Sequence, residues 1–394
     1  MTCISPIRKM LAVASAACLW FALPAQAETD LHATYLQQRV ELPPVLSNLD
    51  TPPDDLGIAG AELALRDNQT TGKFLKQKYT MDVIRVDIGG DLMVAAEQAL
   101  ATSPYLIIDA PAADLLAVAD LPAAANALIF NTSAADTTLR DTDCRANTLH
   151  TLPSRAMLSD ALMQFAQSRR WTNLALITGG HAPDRAYAAA LEHSAQKFGM
   201  KITTRKEWLF DADMRRNASQ EVPLFTQDLG DYDLLLIADE TNDFGRYLAY
   251  NTWLPRPVAG TEGLTPTAWS PVVEQWGAAQ LQSRFTDQAN RRMAPQDYAA
   301  WAALRTLGEA VTRSNSADPA TLRSFILSDD FELAAFKGRP LSYRTWNGQL
   351  RQPIPLVTPR AVVNQAPLPG FLHQRNEMDS LGLDAPETKC TAFQ

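Results

Sequence analysis

The sequence predicts an α/β protein that contains parallel sheets and folds as two lobes. Short apolar strands alternate with amphipathic helices along most of the chain, a pattern typical of βαβ units. Some strands are apolar without interruption, such as LLLIA at 234–238, as expected for parallel strands buried on both faces. A chain of 394 residues is also long for one core, which favours two lobes.

The alternation is clearest between residues 81 and 261. The predicted strands lie at 81–86, 104–109, 127–131, 173–178, 200–208, 232–239 and 256–261. The predicted helices lie at 89–101, 111–124, 154–170 and 184–199. In the helix at 154–170, Met157, Leu158, Leu162 and Phe165 recur at helical spacing, which predicts one buried face.

The end of the chain has a different pattern. A long helix is predicted at 294–314, and a second at 318–328, with Asp318 as its N-cap and Pro319 at its first position. Residues 337–363 are predicted to form a turn-linked β segment, with the Asn347-Gly348 pair as the hairpin signal. The stretch from 366 to 394 has no regular pattern and is predicted to be an irregular tail.

The start of the chain is predicted to be a secretory signal peptide that is cleaved after Ala27. Two basic residues precede an apolar run at 10–23, which ends shortly before Ala25-Gln26-Ala27. Cys18 offers an alternative lipoprotein site, but cleavage there would leave a very short apolar core. Cleavage after Ala27 would leave 367 residues of net charge −11, which argues against nucleic acid and anionic membranes as partners.

Two cysteines, Cys144 and Cys390, would remain in the exported chain. In an oxidising compartment two cysteines most simply pair, which would tie the tail to the middle of the chain. The alternative is two unpaired thiols.

No motif for catalysis, a metal or a cofactor is found. The sequence lacks G-x-S-x-G, H-E-x-x-H, the P-loop, and a G-x-G-x-x-G after a strand. His150 and His181 lie at strand ends and are most simply structural. Asp239 and Glu240 follow a strand and could either face a cleft or belong to a plain loop. The sequence therefore favours a protein that is not an enzyme and needs no cofactor.

Three long segments carry a family resemblance. The segment at 57–91 resembles the first helix and second strand of one family. The segment at 128–162 resembles that family's fourth strand with the first crossing, and the segment at 297–311 resembles its late helix. That family is the type I periplasmic binding proteins, the leucine/isoleucine/valine-binding class of ABC-transporter receptors. The segments at 43–61, 150–158, 249–264, 328–344 and 346–354 resemble a branch associated with pyrroloquinoline-quinone-dependent alcohol dehydrogenase systems.

The resemblance implies two doubly wound (Rossmann-like) lobes joined by three hinge crossings. The first lobe would comprise residues 28–150 and 281–345, and the second 151–280 and 346–365, with a tail at 366–394. The crossings would lie near 149–153, 280–285 and 343–348. The implied function is the solute-binding component of an ABC system, presenting a small organic ligand linked to quinoprotein alcohol oxidation to an inner-membrane permease. The alternative is a periplasmic accessory protein that supports a quinoprotein dehydrogenase by protein contact.

The family's ligand contacts transfer only in part. The hydroxyl-bearing pair that holds an amino-acid carboxylate falls on Ala112 and Ala113, and a second hydroxyl position falls near Ala134 and Ala135. The family's Tyr-Gly falls on Pro183-Asp184, whereas its acidic turn residue is matched by Glu262. The other residues expected to line the ligand are Asn48, Asp50, Asp109, Asn131, Thr132, Ser133, Tyr187, Asp239 and Glu240.

The missing hydroxyls bear on the kind of ligand. A carboxylate that is buried without donors costs several kcal/mol of desolvation. We therefore expect a ligand other than an ordinary α-amino acid, such as an alcohol, an aldehyde-derived acid or a quinone-related compound. The small residues Gly57, Ala61 and Ala64 are expected to serve packing, by letting the first helix lie close to its sheet.

Overall fold

A computed structural model describes residue 2 and residues 28–41, 51–208 and 217–394. The predicted signal peptide, apart from residue 2, lies outside the described residues, as do Asn48 and Asp50. No helix in the described part of the chain combines the length and apolar character needed to cross a membrane.

Two parallel sheets form the frame. The first has the order β2-β1-β3-β4-β5 and the second the order β7-β6-β8-β9. The strands of the first sheet are β1 (Thr29–Gln38), β2 (Gln77–Val86), β3 (Tyr105–Asp109), β4 (Leu128–Asn131) and β5 (Thr148–His150). The strands of the second sheet are β6 (Asn173–Thr178), β7 (Lys201–Glu207), β8 (Leu234–Ala238) and β9 (Val258–Gly260). Every pairing within the two sheets is parallel, which confirms the predicted α/β class.

Helices cover both faces of each sheet. They are α1 (Ile58–Leu75), α2 (Leu92–Thr102), α3 (Ala112–Ala119), α4 (Arg155–Ser168), α5 (Ala182–Lys197), α6 (Ala218–Thr226), α7 (Gly245–Leu248), α8 (Ala278–Ala289), α9 (Pro295–Ser314) and α10 (Pro319–Ile326). Each sheet has a separate apolar cluster on each of its faces, as a doubly wound lobe requires. The predicted Asp318 cap is confirmed, since its carboxylate accepts a hydrogen bond from the Thr321 N–H.

Two small antiparallel sheets complete the frame. Their strands are β10 (Thr265–Pro266), β11 (Leu333–Ala334), β12 (Pro340–Tyr343), β13 (Leu350–Arg351), β14 (Ile354–Thr358) and β15 (Ala361–Ala366). The predicted hairpin is confirmed, because Tyr343 pairs with Leu350 across a turn in which Gly348 has a φ of 67°. The tail is irregular, as predicted, but it is not separate: Leu368 and Leu381 join the second lobe's core.

The chain changes lobes three times, but two of the changes lie away from the predicted positions. The first follows β5, as expected. The prediction of a crossing at 280–285 is wrong, because Leu281 and Phe285 are buried in the first lobe's core within α8. The chain instead leaves β10 and enters the first core at Trp269. The third change falls between Leu350 and Ile354, since the hairpin before it packs with the first lobe.

Helix α1 is narrow where it meets α9. A Cβ atom added to Gly60 would lie 1.9 Å from the carbonyl oxygen of Asp297. The predicted small residues Ala61 and Ala64 are fully buried. The tightest approach is therefore to the backbone of α9, but the start of the helix also lies close to the sheet, because a Cβ added to the predicted Gly57 would overlap the Tyr35 hydroxyl on β1.

The predicted disulfide between Cys144 and Cys390 is confirmed. Their Cα atoms lie 5.7 Å apart, and the bond spans 246 residues of sequence. It fixes the end of the tail against the loop between β4 and β5.

Candidate ligand-binding cleft

The carboxyl edges of the two parallel sheets meet at Arg155, the first residue of α4. Its guanidinium lies 2.7 Å from a carboxylate oxygen of Glu240, which follows β8, and 3.2 Å from Asp136, which follows β4. The Arg155 backbone N–H also donates to the Ala135 carbonyl at 2.8 Å. In open α/β sheets, ligands bind at the carboxyl ends of the strands. The two edges joined by Arg155 are therefore the walls of the candidate cleft.

The Arg155–Glu240 pair is ionic. Burial works against the charge of Arg155, but its hydrogen bonds and ion pairs with Glu240 and Asp136 outweigh burial and raise its pKa. Burial also raises the pKa of Glu240. Hydrogen bonds and the positive charge of Arg155 lower this pKa, whereas the nearby charges of Asp184 and Asp136 raise it further. The cation thus stabilises a carboxylate-rich edge that repels further negative charge.

Asp109 lies at the end of β3 on the first wall. Its carboxylate accepts a hydrogen bond from the Gln37 side-chain amide at 2.9 Å. Burial raises the pKa of Asp109, although hydrogen bonds from Gln37 and Ser133 oppose the rise. Ala112 and Ala113 occupy the first turn of α3 and supply no hydroxyl. The first wall therefore has a carboxyl group at the end of β3, followed by a helix start without side-chain hydroxyls.

The polar residues after β4 are bonded to their own loop. The Asn131 side-chain oxygen accepts from the Ala134 N–H at 2.9 Å, and its amide donates to the Ala134 carbonyl at 2.8 Å. The Thr132 hydroxyl donates to the Ile108 carbonyl at 2.9 Å. The Ser133 hydroxyl accepts from the Ala110 N–H at 3.0 Å. These side chains shape the wall and hold the β3 and β4 loops together.

Asp184 lies in the first turn of α5, on the second wall, and its side chain caps the start of that helix. Its carboxylate accepts from the His181 N–H at 3.1 Å and from the Thr241 N–H at 3.2 Å. The His181 ring nitrogen Nε2 lies 2.7 Å from the Asp243 carboxylate. Asp184 is fully buried, so its carboxyl group is used by the fold rather than displayed on a surface.

Asp239 holds the start of α7. Its carboxylate accepts from the backbone N–H groups of Asp243, Phe244 and Gly245 at 2.9, 2.9 and 2.6 Å. Burial raises the pKa of Asp239 despite these three donors. The sequence pattern alone could not separate this structural use from a cleft-facing one.

Tyr187 and Glu262 lie beside these acidic residues. Tyr187 is almost fully buried, and burial followed by the charge of Glu240 raises the pKa of its phenol. Glu262 packs next to Asp239 around Gly245, since a Cβ added to Gly245 would meet both side chains. The structure thus brings together the predicted residues Asp184, Tyr187, Asp239, Glu240 and Glu262 at one edge.

The hinge contains a buried polar network that sequence reasoning missed. Arg140 donates from Nε to the Gln349 side-chain oxygen at 2.8 Å and from a terminal nitrogen to the Leu152 carbonyl at 3.0 Å. The Gln349 amide donates to the His150 and Leu152 carbonyls, both at 3.1 Å. The first and third crossings are therefore hydrogen-bonded side by side. No local motif marks such contacts, because the partners are about two hundred positions apart.

The cleft has the features of a binding site. Within the described residues, no group of three or more His, Cys, Asp or Glu side chains is arranged to hold a metal ion. The acidic side chains described above mainly cap helices and loops or pair with Arg155. The arrangement can present hydrogen-bond acceptors to a small molecule between two walls that share a hinge.

Solved structures of low sequence identity share this architecture. The chain is similar to a branched-chain amino acid ABC transporter periplasmic ligand-binding protein from Burkholderia xenovorans, with a TM-score of 0.70 and 15% identity over 92% of this chain and 100% of that one. An ABC transporter substrate-binding protein from Desulfitobacterium hafniense in complex with Leu gives 0.64 and 15%, over 84% and 99%. An ABC transporter solute-binding protein from Rhodopseudomonas palustris in complex with 3,4-dihydroxy benzoic acid gives 0.60 and 12%, over 84% and 93%.

No family profile and no curated protein matches the chain. The comparisons therefore define the fold: two α/β lobes of the type I periplasmic binding protein kind.

Proposed function

We propose that this protein is a periplasmic solute-binding protein that closes on a small organic molecule other than an ordinary α-amino acid. The observation that carries the proposal is the meeting of both sheet edges at Arg155, which contacts Asp136 of one lobe and Glu240 of the other. The crossings held by Gln349 would act as the hinge about which the lobes rotate around a ligand.

The charges of the walls support a ligand without a free carboxylate. Asp109 lies on the first wall, and Asp239 and Glu240 lie on the second, while Ala112 and Ala113 replace the family's hydroxyl donors. A ligand carboxylate would be repelled by these acids and would lose its hydration without side-chain hydroxyls in return. A neutral molecule fits this surface better.

The physiological setting is a separate part of the proposal. The resemblance of residues 43–61, 249–264 and 328–344 to one branch supports a link to quinoprotein alcohol oxidation, with an ABC permease as the partner. The predicted signal peptide supports export to the periplasm. The second candidate is an accessory protein that contacts a quinoprotein dehydrogenase. The internal use of Asp184 and Asp239 favours this candidate, because those carboxylates are already occupied.

A thermal-shift screen of residues 28–394 with the disulfide intact tests the binding function. The panel contains aliphatic amino acids, short alcohols and acids, pyrroloquinoline quinone, calcium and a lanthanide. A ligand at a hundred times its dissociation constant adds about 2.7 kcal/mol to the free energy of unfolding, which moves the midpoint visibly. A shift with a non-amino-acid molecule supports the proposal. Cooperative unfolding with no shift from any compound contradicts it and favours the accessory role.

Two variants of α3 locate the binding site. Ala113 is exposed in the first turn at the cleft, and Ala117 is exposed one turn further along the same helix. Ala113→Trp should fill the cleft and abolish the shift, whereas Ala117→Trp should leave the shift intact. Equal shifts in both variants would place the ligand elsewhere.

A further inference from the structure

A cavity lies at the back of the hinge, outside the cleft. Its volume is about 300 Å³, at the lower end of the range for small-molecule sites. Its walls come from the first lobe's loop at Lys337–Arg339, from Trp276 before α8, from Pro353 in the third crossing, and from the end of β15. A molecule in this cavity would contact both lobes and the third connection between them.

The ammonium group of Lys337 is the unusual feature of this wall. Only 5% of the residue is exposed, and Nζ donates to the Gln352 side-chain oxygen at 2.7 Å and to the Pro353 carbonyl at 3.1 Å. Nζ also lies 4.6 Å from the centre of the Tyr298 ring. All three of these partners are neutral, and no carboxylate in the described part of the chain pairs with Lys337.

A buried ammonium without a counter-ion is costly, and burial lowers the pKa of Lys337 well below its ordinary value. The other cation on the wall, Arg339, already pairs with Glu377. Lys337 is therefore the cation of this wall that lacks a carboxylate partner. The Trp276 ring, about half exposed, lies against Gly338 and adds an aromatic surface and an indole N–H donor.

We propose that this hinge cavity binds a small organic carboxylate, with the carboxylate next to Lys337 and the apolar part against Trp276. The ligand supplies the negative charge that Lys337 lacks. Because Gln352 also donates to the Thr151 carbonyl at 2.7 Å, the carboxylate would act beside the contact that holds the first and third crossings together. Occupation of the cavity would therefore stabilise the pair of lobes against separation and unfolding.

Benzoate is the probe, and benzamide is its neutral counterpart of the same shape. Calorimetric titration at constant ionic strength should show benzoate binding to the exported chain and no comparable binding of benzamide. Lys337→Met keeps the length and packing of the side chain but removes its charge, so the affinity for benzoate should fall about tenfold or more. Lys78→Met, at an exposed lysine on β2, should bind benzoate as the native protein does.

Two further variants keep the test decisive. Trp276→Leu changes a half-exposed wall residue and should weaken benzoate binding even if Lys337→Met does not fold. Ala113→Trp fills the cleft and should leave benzoate binding unchanged. The proposal is overturned if the native protein does not bind benzoate, if benzamide binds equally well, or if Ala113→Trp abolishes binding while Lys337→Met and Trp276→Leu do not.

Discussion

Arg155 and Glu240 form a bidentate ion pair, in which two guanidinium nitrogens lie 2.7 and 3.0 Å from the Glu240 carboxylate. Arg155 follows the first crossing, and Glu240 follows the end of β8. Because Asp136 of the first lobe also contacts Arg155, one cation links three loops at the mouth of the candidate cleft.

Removal of Arg155 should therefore destabilise the protein. Arg155→Met leaves the carboxylates of Glu240 and Asp136 without their cation, and the free energy of unfolding should fall by about 1–3 kcal/mol in urea denaturation. Arg256→Met breaks an ion pair with Asp231 that lies at an exposed surface, so its effect should be close to zero. Equal losses in the two variants would contradict the role given to Arg155.

The contact between α1 and α9 should not tolerate a methyl group. In Gly60→Ala the new Cβ would overlap the Asp297 carbonyl, so the helices must separate at a cost of about 1–3 kcal/mol. This cost should exceed the gain of about 1 kcal/mol that alanine normally gives within a helix. Gly180→Ala is the control, since nothing lies within 4 Å of its added Cβ. A neutral Gly60→Ala in urea denaturation would refute the tight approach.

The disulfide should contribute strongly to stability, because it closes a loop of 246 residues in the unfolded chain. Reduction with dithiothreitol, or the double variant Cys144→Ser/Cys390→Ser, should lower the free energy of unfolding by about 2–5 kcal/mol. The double variant serves as the control, because its unfolding curve should not respond to reductant. A native protein whose curve is unchanged by complete reduction would contradict the prediction.

His150 should make the protein sensitive to mild acid. Burial, and then the positive charge of Arg140, lower its pKa well below the ordinary 6.5, although a hydrogen bond with the Leu139 backbone opposes the shift. Below pH 6.5 the unfolded chain binds a proton that the folded protein does not, so stability is present above that pH and is lost as the pH falls.

A pH series compares the native protein with His150→Gln. Between pH 7 and pH 5.5 the native protein should lose more stability than the variant, because only in the native protein does the unfolded chain take up a proton at position 150 that the folded protein does not. Parallel stability curves for the two proteins would show that His150 titrates normally in the fold.

The regular elements of the fold could be predicted from the sequence. Apolar strands such as 234–238, the cap at Asp318 and the Asn347-Gly348 turn depend on local chemistry, and each is found where it was predicted. The Cys144–Cys390 pair was also predictable, because few pairings were possible.

The contacts that build the hinge and the cleft could not be predicted in the same way. Arg140 and Gln349, or Arg155 and Glu240, are joined only after the lobes assemble, and no spacing in the sequence marks them. The second crossing was misplaced for a related reason: Leu281 and Phe285 form an apolar helix stripe that fits either lobe until the partner surface is known. Acidic residues such as Asp239 were found, but their use as caps depends on the loop that follows.

The central claim is that the cleft binds a small molecule but excludes ordinary α-amino acids. Isothermal titration of residues 28–394 with leucine and with valine tests it most directly. We predict no measurable heat of binding, because Ala112 and Ala113 offer no hydroxyl and the carboxyl group of Asp109 lies on the same wall. Micromolar binding of either amino acid that Ala113→Trp abolishes and Ala117→Trp retains would contradict the account.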